Sequence, residues 1–139
     1  MAHRLRPIVR QFVTFGAVGV AGFVVDAGVL TLLLHTTSAG PYLGRVVSFL
    51  CAATFTWALN RMFTFRDRGT RHTLGAQWLR FLLANAFGGF VNFGVYSLLL
   101  STVAFFAAMP VMAVAAGSLS GLAVNFTLSR AFVFATDPR

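Results

Sequence analysis

Apolar residues fall in four long runs, about 12–34, 42–60, 79–101 and 110–129, separated by polar stretches. A hydrocarbon core of ~30 Å takes roughly 20 residues to cross at a rise of 1.5 Å each, so every run predicts one transmembrane helix. The first follows Arg4, Arg6 and Arg10 and so resembles a signal peptide. It is too long for a signal core and no small-x-small cleavage site follows it, so it reads as a helix that stays in the membrane. The linker 35–41 is short and polar, and Pro41 and Pro110 stand where the second and fourth helices would begin, a position that needs no backbone donor. The expected fold class is all-α integral membrane, with residues 1–139 forming a single four-helix transmembrane domain.

Two of the runs end alike, in Asn60-Arg61-Met62-Phe63-Thr64-Phe65 and Ser129-Arg130-Ala131-Phe132-Val133-Phe134. One arginine followed by phenylalanines at alternate positions predicts a helix that leaves the membrane into an extended segment at the lipid surface. The likeness extends backwards: Phe15, Gly22, Asp26 and Gly28 align with Phe81, Gly88, Asn92 and Gly94, and Leu32 to Leu34 with Leu98 to Leu100. With a short insertion in the second outer loop, Pro41, Leu59, Arg61, Phe63 and Phe65 align with Pro110, Leu128, Arg130, Phe132 and Phe134. The chain therefore reads as two tandem two-helix repeats, about 10–66 and 78–135, joined by a linker at about 61–79. Two helices per repeat give both repeats the same orientation, related by an axis near the membrane normal.

Composition agrees with the pattern. At 58% hydrophobic and 10% charged residues the chain lies outside the range of soluble globular domains. Its formal net charge is +8, and the eleven basic residues are all arginine, with neither lysine nor glutamate present. Codon bias in a GC-rich genome accounts for that choice, and so does selection for guanidinium forks that grip phosphate. In so apolar a chain the charge points to anionic lipids rather than nucleic acid. Arginines gather at the N-terminus, the C-terminus and the central loop from Arg61 to Arg80; the loops after helices one and three carry none. The positive-inside rule then makes both termini and the central loop cytoplasmic, in a multi-pass protein of the inner membrane.

Asp26 is the one acid inside a run, roughly 21 Å up from the cytoplasmic side, and a charge there needs a partner. Arg45, roughly 6 Å down from the outer end of helix two, lies at a similar depth, so the two are expected to pair. Their counterparts Asn92 and Val114 lose acid and base together. Two roles stand for the pair: a structural pin between helices one and two, or recognition of a polar headgroup in transit. Arg61 and Arg130 at the exits can each offer two hydrogen bonds to phosphate, with Arg66, Arg68, Arg71 and Arg80 adding positive potential. The plainer role for such arginines is to anchor topology, with the phenylalanines as an interfacial belt. Recurrence of the arginine, and Asn60 and Asn125 as neutral hydrogen-bonding groups at the same ends, favour a site for a sugar or phosphate lipid.

Gly16, Gly19 and Gly22, with Gly88, Gly89 and Gly94, are read as helix-packing positions. Cys51 is read as packing, and a single cysteine builds no disulfide framework within one chain. His3, His35 and His72 fall in three separate segments and suggest no metal site or dyad. Ser48, Thr54 and Ser118 are candidates for hydrogen bonds within or between helices, and no base accompanies them as nucleophiles. No enzyme and no cofactor are expected.

The segments Phe12 to Gly19, Val25-Asp26, Asn60 to Arg66 and Asn125 to Phe134 together resemble the GtrA-like family of small four-helix membrane proteins. The resemblance covers nearly the whole chain; Phe63 stands where many relatives carry tryptophan. It implies a part in cell-surface polysaccharide synthesis, by moving a polyprenyl-phosphate-linked sugar to the outer leaflet, and a role for Asp26, Asn60, Arg61, Asn125 and Arg130. It implies no catalytic residue. The alternative is a non-transporting scaffold or accessory subunit of a membrane glycosyltransferase; a small multidrug-type exporter is a third reading, opposed by the strong arginine asymmetry. Four helices give little wall for a path, so a homodimer or larger assembly is expected.

Overall fold

The computed structural model describes residues 2–38, 40–68 and 71–135, with backbone alone for residues 2–5, 41 and 42. The positions 1, 39, 69, 70 and 136–139, which the reading of 1–139 as one domain and of the two linkers includes, lie outside the described residues. So do the side chains of His3 and Arg4.

The described residues form helices and no strands: α1 (Ala2–Thr36), α2 (Pro41–Leu59), α3 (Leu74–Thr102), a short α4 (Ala104–Ala108) and α5 (Pro110–Leu128). Four of these segments, Arg6–Thr36, Leu43–Thr64, Leu74–Thr102 and Pro110–Val133, are long and apolar enough to cross a membrane. The all-α, four-span architecture is thus as the sequence pattern predicts. Pro41 and Pro110 do open α2 and α5. Thr73 caps α3, its hydroxyl accepting from the Ala76 N–H at 3.3 Å, which supplies a partner for one of the first-turn donors. The cap starts α3 at Leu74 rather than near 79, and α1 takes in Arg6 and Arg10 as helical residues. The connection between α3 and α5 is not irregular throughout, since the apolar Phe105 and Phe106 wind into α4.

The exits differ from expectation in kind. Neither is extended: Asn60–Thr64 and Ser129–Val133 are single π-turns that prolong α2 and α5. The Phe65 N–H donates to the Asn60 carbonyl at 2.8 Å, and the Phe134 N–H to the Ser129 carbonyl at 2.8 Å, the five-residue spacing of a π-turn. The wider turn leaves Phe63 and Phe132 exposed and swings Phe65 and Phe134 inward, where they are 1% and 2% exposed. A backbone that keeps its donors paired while aiming one aromatic ring at the core is favoured over an extended one with free N–H groups near lipid.

The chain divides into two compact units, Met1–Gly69 and Thr70–Arg139. In the first, α1 packs along α2 and the π-turn, with Phe15 edge-on to Phe65 at 6.1 Å between ring centres. In the second, α3 packs along α5 and its π-turn, with α4 touching both helices, and Phe81 is edge-on to Phe134 at 6.3 Å. The buried apolar residues are few and mostly small beside these rings, among them Ala52, Ala53, Ala84 and Ala113. Large apolar side chains point outward instead; Phe23, Phe90 and Val111 are all more than 70% exposed. Such a surface suits lipid and would be an aggregation hazard in water. Cys51 belongs to this outer face and not to the packing.

Candidate functional site

The intramembrane pair is built by two close approaches of α1 to α2. At Gly22 a Cβ would come within 2.3 Å of Thr56 Cγ2, and at Gly44 within 3.2 Å of Leu30 Cδ1. Asp26 lies one turn from Gly22 and one from Leu30, so it is held where the helices nearly touch. Arg45 Nη1 donates to Asp26 Oδ2. The carboxylate is largely covered, at 15% exposure, while the Arg45 side chain is 58% exposed. Asp26 Oδ1 is buried with no hydrogen-bond partner among the described residues. One oxygen of the acid is therefore neutralised and the other is left with unused acceptor capacity, which is costly at this depth.

The same small-residue device shapes the second unit. The absent Cβ of Gly88 makes room for Asn125, whose Oδ1 would lie 1.8 Å from it. Gly117 and Gly121 admit Asn92: a Cβ at either position would come within 3 Å of that residue. With Val114 in place of a base, this unit carries only neutral polar groups at the corresponding depth. Sequence reasoning missed Gly117 and Gly121, although Gly117-Ser-Leu-Ser-Gly121 is a four-residue spacing of glycines that marks close membrane-helix contact. Gly19, Gly28, Gly89 and Gly94 instead face open space.

The candidates at the two exits separate into buried and displayed groups. Asn60 is 2% exposed, and its Oδ1 accepts from Thr64 Oγ1 at 2.7 Å. That bond closes the π-turn from within, so Asn60 shapes the exit and is not displayed to a ligand. Asn125 is likewise inside the α3–α5 contact, its Oδ1 buried without a partner among the described residues. Arg61 and Arg130 are half-buried on their π-turns, while Arg66 and Arg80 are exposed. Beyond the first turn, Asp67 receives Arg66 Nε and Arg10 Nη2, each at 3.5 Å. In the second unit His72 Nε2 donates to the Phe132 carbonyl at 3.2 Å, tying the segment before α3 to the π-turn.

Ser48 and Thr54 bond carbonyls of their own helix. Of the nine residues singled out from sequence for the site, the structure therefore joins Asp26 to Arg45, sets Asn60 beside Arg61 on one π-turn, and puts Asn92 in the apolar span of α3.

The family model described as GtrA/DPMS, transmembrane domain, matches residues 14–134, from within the first span to the end of the second exit. No curated protein matches the chain.

Proposed function

The chain belongs to the GtrA/DPMS transmembrane-domain family, and from that membership we propose that it moves a polyprenyl-phosphate-linked sugar from the cytoplasmic to the outer leaflet. Family membership and four apolar spans make it a multi-pass membrane protein with a part in glycan or polyprenyl-phosphate-sugar processes.

The observation that carries the proposal is the Asp26–Arg45 pair, with its unused Oδ1, inside a span. A purely structural pin is best served by a pair that satisfies both carboxylate oxygens; an acceptor held in reserve suits a hydroxyl that passes. Arg61 and Arg130 capture the phosphate at the cytoplasmic ends through forked hydrogen bonds, helped by the potential of Arg66 and Arg80. Within the spans Asp26 and Arg45 in the first unit, and Asn92 in the second, each offer hydrogen bonds to a headgroup, while the isoprenoid tail remains in lipid. No bond is made or broken, so the protein acts without catalysis. Consumption of the lipid on the far side drives net flow. Like features in the two units, the edge-on phenylalanine pair and the π-turn, support reading them as tandem repeats. The arginine distribution supports cytoplasmic termini in the inner membrane. A homodimer would complete the wall of the path.

The test replaces Asp26 and Arg45 together by leucine, which removes both charges and leaves neither alone. A translocator loses leaflet exchange of the lipid-linked sugar while remaining folded. A scaffold for a membrane glycosyltransferase retains polymer synthesis in the double variant and loses it when the loop at Arg66 to Arg71 is altered, and that outcome would replace the proposal.

A further inference from the structure

Helices α3 and α5 form an open groove of about 230 Å³ lined by Gly89, Asn92, Phe93, Tyr96, Val114 and Ser118. It lies within the apolar spans: Asn92 is about 15 Å, Tyr96 about 9 Å and Ser118 about 12 Å from the outer end of its helix. Three polar side chains thus meet in one place near the middle of the bilayer. None of Asn92, Tyr96 and Ser118 makes a side-chain hydrogen bond to another described residue. Thr54, Ser101, Ser120 and Thr127 do return their hydroxyls to a carbonyl of their own helix, whereas Ser129 Oγ is buried without a partner among the described residues. Polar groups at this depth are expensive unless something satisfies them.

At the base of the groove the two helices approach closely. Gly117 lacks the Cβ that would come within 2.6 Å of Asn92 Oδ1 and 3.3 Å of Tyr96 Cβ. Gly89 faces open space on the groove wall. Phe93 and Tyr96 set two rings 6.5 Å apart and inclined at 39° along one side. Apolar aromatic faces beside a few hydrogen-bonding groups are the makeup of a small-ligand site. The volume is below the ~300–1,000 Å³ of drug-sized sites, leaving room for a single ring.

We propose that this groove is the sugar subsite of the second unit, and that it takes one uncharged pyranose ring. The inference rests on the lipid-linked-sugar reading above and adds to it the class of sugar. The C–H face of a pyranose packs on Phe93 and Tyr96, and its hydroxyls exchange bonds with Asn92, Tyr96 and Ser118. No acid, arginine or histidine lines the groove, so a uronate or an amino sugar would bring an unpaired charge into the span. The first unit, with Asp26 and Arg45 at the corresponding depth, is where charge is tolerated.

The test uses the full chain in lipid nanodiscs and three probes: undecaprenyl phosphate alone, the same lipid bearing glucose, and the same lipid bearing glucuronic acid. Wild type should bind the glucosyl lipid about tenfold more tightly than the bare lipid, the change expected for about 1.4 kcal/mol of added contact. The glucuronyl lipid should gain nothing. Asn92→Leu and the exposed Ser118→Ala should each erase most of the glucosyl advantage, and Ser118→Ala should leave binding of the bare lipid unchanged. Equal binding of glucosyl and bare lipid by wild type, or a glucosyl advantage that survives in folded Ser118→Ala and Asn92→Leu, would overturn the assignment. So would an Asn92→Leu variant that changes oligomeric state without changing sugar preference, which would make the groove a contact between copies. Failure of all three lipids to bind would refute the lipid-linked-sugar reading itself, and the subsite with it.

Discussion

Replacing Gly121 by alanine probes a close backbone approach in the second unit. The added Cβ would lie 2.7 Å from the Gly88 carbonyl oxygen and 2.9 Å from Asn92 Cβ. Neither atom can move by rotating a side chain, because one is backbone and the other is fixed by it. Ordinary contact begins near 3.4 Å, so α3 and α5 must part by about 0.7 Å at this crossing, or α3 must shift along α5. Overpacking of this kind costs about 1–3 kcal/mol, a factor of roughly 5 to 150 in the folding equilibrium. Gly94→Ala is the control: its Cβ meets nothing within 4 Å, and alanine gains up to about 1 kcal/mol of helix propensity over glycine. Reversible unfolding in mixed detergent micelles, followed by tryptophan fluorescence, should show Gly121→Ala destabilised and Gly94→Ala unchanged or stabilised. Equal stability of the two variants would refute the packing argument.

In the same assay, Arg45→Leu should lose about 2.5–3.5 kcal/mol, the cost of a lone acid deep in a span, Asp26→Leu should lose less because Arg45 lies one turn into α2, and the double variant should recover most of the loss. Thr64→Val keeps the shape but leaves Asn60 Oδ1 buried without its donor, and should cost about 1–3 kcal/mol; a neutral result would argue against the bond. Phe65→Ala and Phe134→Ala each empty a buried site against Phe15 or Phe81 and should each cost about 3–5 kcal/mol, with the π-turn losing its amide protection in hydrogen exchange. With Cys51 replaced by alanine, a cysteine introduced at the exposed Gly75 should react with an impermeant maleimide only from the cytoplasmic side; labelling from outside would reverse the topology.

The spans and the Asp26–Arg45 pair were legible because a bilayer imposes simple conditions. Length and apolarity alone pick out a spanning helix, and a lone acid within one has few bases at its depth. The exits were harder, since Arg61-Met-Phe63-Thr-Phe65 alternates as a strand does. Its outward Phe63 and inward Phe65 arise instead from a widened helical turn. The signal that distinguishes the two is Asn60 with Thr64 four residues on, a helical spacing of hydrogen-bonding partners that no strand would bring together. Asn60 and Asn125 looked like displayed headgroup ligands from their place in the chain, but which face of a helix end turns inward depends on Gly22, Gly88 and the phenylalanine pairs. Gly117 and Gly121 were readable as a pair and were passed over beside the denser glycines of α1, of which Gly19 packs against nothing. Tyr96 and Ser118 gain meaning only when α3 and α5 are set side by side.

The most direct test of the account is leaflet exchange of a polyprenyl-phosphate sugar in liposomes containing the purified protein, comparing wild type with Arg61→Ala plus Arg130→Ala. Protein-dependent exchange in wild type, lost in a double variant with unchanged helix content, is the result expected of phosphate capture at the π-turn exits. Absence of exchange by folded wild type across neutral and charged lipid-linked sugars would contradict translocation and turn attention to a bound glycosyltransferase.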